Sequence, residues 1–350
     1  MAFASCGRTG STREIFDRIR EAQPLFYMNM GDFHYQDINT NRPSLFRAAY
    51  DAVLASPQQA ELYRSTPLVY MWDDHDYGGN NASKKSKSHI AARSIYEEYV
   101  PHYPFAFPQE DGPINYSFAV GRVKFIITDL RSERDEPKVK DDAKKSLMGA
   151  EQKQWFKDEL LAANGKYPLI FWMTSVPWIG DKGKSPYGSL KTNVYGYIHH
   201  SQSNLFNVRT NRPGRNPNGG GGDEDHWSAY TVERREICDF IKSNRISGVA
   251  ILHGDSHMMA ADDGSNADYA TGGGTPIPVM CAGPLDQNPS LKGGPYSEGV
   301  YRVRDRDGES GFGLLSINDQ GNRIEVTYSG RNQTNKETIS LKFSVPATAK

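Results

Sequence analysis

Residues 71–81 read MWDDHDYGGNN, two adjacent aspartates, a histidine and a third aspartate set directly behind an apolar run that ends in Trp72. Carboxylates brought toward a core are costly unless each is paired or bound to a cation, and neighbouring carboxylates repel until something positive relieves them. The segment therefore reads as a strand whose end holds charge for a purpose. The same pattern recurs along the chain. MAFASC (1–6) is a short strand ending in Cys6, PLFYMNMGDFHYQD (24–37) is a strand running into Asp32 and Tyr35, and GVAILHGDSH (248–257) is a strand running into His253, Asp255 and His257. Side-chain clusters at the carboxyl ends of strands are where α/β sheets build their sites, and these four are expected to converge.

The segments between them alternate helix with strand, which indicates β-α units around a central sheet. STREIFDRIREAQ (11–23), with Ser11 or Thr12 as cap and Ile15, Phe16 and Ile19 on one face, reads as a helix, as do 43–56 and 57–66. INYSFAVGRVKFIITDLRSER (114–134) reads as a hairpin turned at Gly121 and Arg122, ending in Asp129 and Arg131. Helix 149–164 precedes strand 167–177, and helix 230–244 feeds the strand before Asp255. The tail, 311–345, reads as antiparallel strands with turns near 319–322 and 331–335. Residues 180–225 are rich in Gly, Asn, Pro and Ser, long enough for a functional lid.

Composition excludes several classes. With 41 basic and 42 acidic residues in 350, no global field draws in nucleic acid or an anionic membrane, so a phosphate-bearing ligand needs a local site. No apolar run approaches the ~20 residues of a membrane span, and no secretory signal opens the chain. Three scattered cysteines make no disulfide framework. Cys238, on the apolar face of its helix, and Cys281, after a strand, read as core. Arg131 reads as a buried ion pair, 83–89 as a solvated basic loop, and His199, His200 and His226 as neighbours of the glycine-rich segment.

The spacing of HGDSH at i, i+2 and i+4 lets three candidate ligands point to one side of an extended segment. Taken with the other clusters, it makes a bound metal, and more economically a pair of metals, the natural explanation. Hard cations prefer carboxylate oxygens, whereas imidazole, phenolate and thiolate suit a transition metal; the mixture suggests one ion of each kind. Two ions joined by a carboxylate clamp a phosphoryl group and generate hydroxide at neutral pH, which is the chemistry of phosphoester hydrolysis.

The segments FASC, MNMGDFHYQD, MWDDHDYGGNN, FIITDLRSER, GAEQKQWFKDEL, DEDHWSAYTVERREICDFI and LHGDSH, in that order, resemble the alkaline phosphatase D (PhoD-like) family of the metallophosphoesterase superfamily. The resemblance implies a four-layer α/β/β/α sandwich with metals at the strand ends. It implies a ferric ion held by Cys6, Tyr35 and His257, a second ion, calcium, held by Asp74 and Asp255, and Asp32 bridging the two, with other divalent metals as variants. His75 corresponds to the group that donates a hydrogen bond or proton to the leaving oxygen, Asn80 and Asn81 to asparagines that touch substrate phosphate, and His34 to a phosphate-contact position that carries arginine in some relatives. The expected activity is hydrolysis of phosphate mono- or diesters by attack of a metal-bridging hydroxide on phosphorus. A phospholipase D-type diesterase and a catalytically weak, metal-containing phospho-ligand-binding protein are the alternatives. Residues 1–350 are expected to form one PhoD-like metallophosphatase domain without the β-sandwich that often precedes it in the family, in an extracytoplasmic (periplasmic or secreted) setting.

Overall fold

The computed structural model describes residues 1–180, the backbone of 196–198, and residues 225–302 and 310–347; the expectation of a lid over 180–225 and the residues His199 and His200 lie almost wholly or wholly outside these. In chain order the first half contains β1 (Ala2–Ala4), α1 (Ile15–Glu21), β2 (Tyr27–Asn29), α2 (Pro43–Ala55), α3 (Pro57–Ser65), β3 (Leu68–Tyr70), α4 (Asp74–Tyr77), α5 (His89–Tyr99), β4 (Tyr116–Val120), β5 (Val123–Ile127), α6 (Ala150–Ala163) and β6 (Leu169–Thr174). The second half contains β7 (Gly196–Ile198), α7 (Thr231–Ser243), β8 (Val249–His253), β9 (Met259–Asp262), β10 (Val279–Cys281), β11 (Val300–Arg302), β12 (Gly311–Asp319), β13 (Arg323–Asn332) and β14 (Glu337–Pro346).

Two sheets result. The first runs β14-β13-β12-β1-β2-β3, with β1, β2 and β3 parallel and the tail joined antiparallel through β1 and β12. The second runs β4-β5-β6-β8-β10-β9-β11-β7, with β5, β6, β8 and β10 parallel. The β4–β5 hairpin pairs Val120 with Val123 across Gly121 and Arg122, as the sequence predicts.

Strand periodicity explains the layers. In β6, Leu169, Phe171 and Met173 point to one cluster and Ile170 and Trp172 to another, the two-residue alternation of a pleated strand buried on both faces. The first cluster lies between the sheets, where Phe3, Met28, Phe125, Leu252, Met280 and Val326 meet. The second joins the outer face of the second sheet to α6 and α7 through Phe156, Leu160, Ile237 and Ile241. The outer face of the first sheet is covered by α1, α2, α3 and α5 through Ile15, Phe16, Phe46, Leu62 and Ile95. Helices, sheet, sheet and helices form the four-layer α/β/β/α sandwich. Among the described residues no helix is long and apolar enough to cross a membrane, and Cys238 and Cys281 are buried in the core as expected.

The sheets approach closely where β8 ends against β1 and β2. A Cβ on Gly254, just after β8, would lie 2.4 Å from the carbonyl oxygen of Met30, just after β2, and 3.0 Å from Ser5 Cβ. Only a residue without a side chain lets the end of β8 close on the ends of β1 and β2. Gly254→Ala is expected to lower stability by ~1–3 kcal/mol, the usual cost of overpacking a filled site, measured by urea unfolding, and to reduce the metal content of the purified protein; a variant with wild-type unfolding midpoint and metal content would show that the approach tolerates a side chain.

Candidate metal centre

The clusters at the strand ends do converge. One ligating atom from each of Cys6, Asp32, Asp255 and His257 lies within 4.8 Å of the others, and Asp32, Asp74 and His75 form a second group on the same criterion. Asp32 belongs to both. Cys6 and Asp32 come from the ends of β1 and β2, Asp74 and His75 from the one-turn α4 after β3, and Asp255 and His257 from the loop after β8. Tyr35 completes the first group: its hydroxyl donates to Asp32 Oδ2 at 2.6 Å and lies 3.4 Å from His257 Nε2.

Backbone conformation makes this convergence possible. Nine non-glycine residues among those described have positive φ, and Cys6, Asp32, Asp255 and His257 are four of them. Such a conformation costs a side-chain-bearing residue on the order of 1–3 kcal/mol and persists where surrounding contacts enforce it, typically at functional sites. HGDSH is therefore not extended, and the three-ligand expectation is corrected. His253, still in β8, turns away: its Nδ1 lies 3.0 Å from Gly254 O and its Nε2 3.5 Å from the Tyr296 hydroxyl. Asp255 and His257 take the left-handed conformation and face the cluster.

The enforcing contacts are visible. The Asp76 carboxylate accepts backbone N–H bonds from Asp32 (2.7 Å), Phe33 (2.7 Å), His34 (3.1 Å) and Asp73 (3.0 Å). It ties the loop after β2 to the turn after β3. On the other side, Ser290 N donates to His257 O at 3.1 Å, and Asn288 O lies 2.6 Å from His257 Nδ1, so that nitrogen carries the proton and Nε2 is left as the ligating atom. Asp73 is engaged elsewhere. It receives Arg131 Nε at 2.6 Å and Ser175 Oγ at 2.6 Å, while Arg131 grips Asp225 through two nitrogens at 3.2 and 2.9 Å. Arg131 is a buried ion pair as expected, with Asp73 and Asp225 as partners.

The electrostatics call for cations. Burial pushes the Cys6 thiol well up, with Asp32 and Asp255 adding to it; burial and then Asp74, Asp73 and Asp76 push the Asp32 carboxyl up; burial, Asp32 and Cys6 do the same to the Tyr35 phenol. Asp74 and Asp255 behave differently: against the effect of burial, Arg131 holds Asp74 low, and Lys292 followed by His226 holds Asp255 well below the carboxylate range. Asp32 Oδ1 is buried with no hydrogen-bond partner. Thiol, phenol and carboxyl packed this closely become good anionic donors only beside positive charge, so this donor set fits bound metal ions.

The remaining expected site residues are placed as follows. His75 is 14% exposed in its side chain, packs its ring 4.1 Å from the Tyr35 ring centre at a 35° tilt and places Nδ1 2.5 Å from Asp37. Asn80 and Asn81 are exposed on the loop after α4, and Asn81 N donates to Asp74 Oδ2 at 2.6 Å. His34 is not brought to the cluster. Its ring is fully buried and packs against Phe46 and Tyr50, neither nitrogen having a hydrogen-bond partner, and burial lowers its pKa to about 3. A phosphate contact by its side chain does not match this position. Asp76, Lys292 and the contact of His226 with Asp255 were missed by sequence reasoning.

Fold and cluster together define a metallophosphoesterase-type sandwich with a candidate metal centre at its strand ends. The family model of PhoD-like phosphatases matches residues 1–295, so the chain belongs to that family. It is 24% identical over 219 residues to alkaline phosphatase D of Bacillus subtilis (strain 168), a match that covers 56% of this chain and 32% of that protein; the chain thus matches about a third of the length of this curated relative. Its backbone superposes on a solved structure of PhoD with a TM-score of 0.61 at 15% identity, covering 100% of this chain and 71% of the other, which is a likeness of fold.

Asp76 touches no candidate ligand atom, yet the geometry depends on it. Asp76→Asn places an amide donor where a carboxylate oxygen accepts N–H groups, at about 1–3 kcal/mol for each donor left unpaired. It is expected to weaken metal retention by ~10–100-fold, as loss of an orienting partner does, read by atomic emission after dialysis against a chelator series. Wild-type retention would show that other contacts hold the loop.

Proposed function

We propose that the chain is a metal-dependent phosphoric ester hydrolase of the PhoD-like type. The observation that carries this reading is the sharing of Asp32 by two donor groups of different character, one with thiol, phenol and imidazole and one with carboxylates and His75, at the meeting point of strands from both sheets. The first group fits ferric iron and the second fits calcium, with Asp255 within reach of the first group in this arrangement. Cations bound there supply Lewis-acid charge for the phosphoryl oxygens and lower the pKa of coordinated water toward neutrality.

The chain's own residues then have definite tasks. Asp32 keeps the two groups in register. Asn80 and Asn81, exposed beside Asp74, offer amide donors to a phosphoryl oxygen. His75 is oriented by Asp37 on one side and Tyr35 on the other and gives a proton or hydrogen bond to the departing alcohol oxygen. The substrate is a phosphate ester, and the family resemblance favours an extracytoplasmic setting.

Chelation is expected to abolish hydrolysis of p-nitrophenyl phosphate, with iron plus calcium restoring it better than magnesium alone; full activity in metal-free protein would refute the reading. Asp32→Asn should cost ~10²–10³-fold in kcat, the scale for losing an electrostatic group in the transition state, whereas Cys238→Ser, in the core, should leave turnover intact. Thiolate and phenolate on ferric iron give a ligand-to-metal charge-transfer band, so the iron-loaded protein should be coloured. Cys6→Ser and Tyr35→Phe should each shift or bleach the band and lower iron content. Unchanged spectra and iron content in both would return Cys6 and Tyr35 to structural roles.

A further inference from the structure

Two nitrogen-bearing side chains with no task in the proposed reaction close on the same carboxylate. Lys292 Nζ donates to the Asp255 carbonyl oxygen at 2.6 Å and to Asp255 Oδ1 at 2.7 Å. His226 Nε2 lies 3.6 Å from Asp255 Oδ2. The imidazole is 1% exposed and its Nε2 is buried without a hydrogen-bond partner. Both are fixed in place. Asp225 is gripped by Arg131, the Trp227 indole N–H donates to Thr174 Oγ1 at 2.9 Å, and Trp227 N donates to Pro177 O at 3.2 Å, so His226 is anchored on either side. Lys292 follows Ser290, whose hydroxyl donates to Ser256 O at 2.8 Å.

An ammonium has three donors, and Asp255 accounts for two of those on Lys292. The side chain is 21% exposed, and its field reaches Cys6 and Asp74 as well as Asp255, so the charge faces the centre. His34, the residue expected to touch phosphate, is buried among aromatic rings instead.

We infer that Lys292 forms an anion-binding arm for the non-bridging oxygens of the phosphoryl group, with His226 packed against the other oxygen of Asp255, and makes the site selective for dianionic monoesters over monoanionic diesters. This rests on the phosphoesterase reading above. Coulomb attraction scales with the product of charges, so a fixed ammonium attracts a dianion twice as strongly as a monoanion at one distance. Lysine serves phosphate as a point charge of this kind.

The test uses the metal-loaded full chain and the variants Lys292→Gln, Lys292→Arg and His226→Gln. Glutamine at 292 keeps an N–H for the Asp255 carbonyl while removing the charge. Three quantities are read: metal content by atomic emission, inorganic phosphate affinity by titration calorimetry, and the ratio of kcat/KM for p-nitrophenyl phosphate to that for bis(p-nitrophenyl) phosphate. Expected for Lys292→Gln is wild-type metal content, phosphate affinity weaker by ~10–100-fold, the scale of one hydrogen bond to a charged group, and a monoester-to-diester ratio reduced by a similar factor. Arginine should recover most of both, and His226→Gln should show a smaller loss of phosphate affinity. Unchanged affinity and ratio in Lys292→Gln, or a loss of metal that accounts for both, would overturn the inference and leave the phosphatase reading standing. Wild-type protein that binds phosphate through Lys292 but hydrolyses neither ester would uphold the binding arm and overturn that reading.

Discussion

The carboxylate of Asp76 is the contact on which the centre depends. Four backbone N–H groups from two separate turns end on its two oxygens, and through them the loop after β2 is locked to the turn after β3. Asp32 is held at φ 58° by this arrangement, and Gly31 before it, at φ 102°, approaches Asp73 so closely that a Cβ there would lie 2.5 Å from the Asp73 Cβ. A buried carboxylate with several backbone donors is a strong, directional acceptor. The candidate donors on the loop after β2 and on the turn after β3 are therefore held to one another through Asp76.

Charge in the centre is arranged in two shells. Cys6, Asp32, Tyr35, Asp74 and Asp255 supply acids within a few ångströms of one another, and around them Arg131 lies 4.0 Å from Asp74 and Lys292 pairs with Asp255. Asp73 is paired with Arg131 through Oδ1, whereas among the described residues no cationic side chain pairs with Asp32. The protein compensates those carboxylates that build the walls and leaves uncompensated the one between the two donor groups. That selectivity is what separates a metal centre from a buried salt-bridge network.

Much of this was legible in the sequence because strands announce themselves by apolar runs and their ends by the charge that follows. β1, β2, β3 and β8, the β4–β5 hairpin and the antiparallel tail β12–β14 all follow the apolar patterning. Short β9 and β11 did not, since Met259–Asp262 and Val300–Arg302 lie in a Gly- and Pro-rich tract with too few residues for any period to show. Helix α5 was hidden by a buried arginine, Arg93, in its apolar face. In the site, which residues converge followed from residue type at strand ends. Roles set by backbone conformation did not: the turn that removes His253 and presents His257 is a matter of φ at two residues. His34 reads as a polar site residue by its neighbours in sequence, but the irregular loop after β2 turns it, with Phe33, to the helix side against Phe46 and Tyr50. Lys292 lies in a stretch without any period, and only tertiary contact with Asp255 gives it meaning.

The candidate donor residues are divided between the two sheets: Cys6, Asp32, Tyr35, Asp74 and His75 belong to one, and Asp255 and His257 to the other. An ion held by both sets is a cross-link between layers that otherwise meet mainly through side-chain packing. Binding to the native state alone adds stability as RT ln(1 + [L]/Kd), so with an ion there the resistance of the sandwich to opening along its central plane would vary with the logarithm of free metal concentration. The cohesion of the two layers would then be linked to the supply of ions, and metal starvation would loosen the same seam that the candidate donors span.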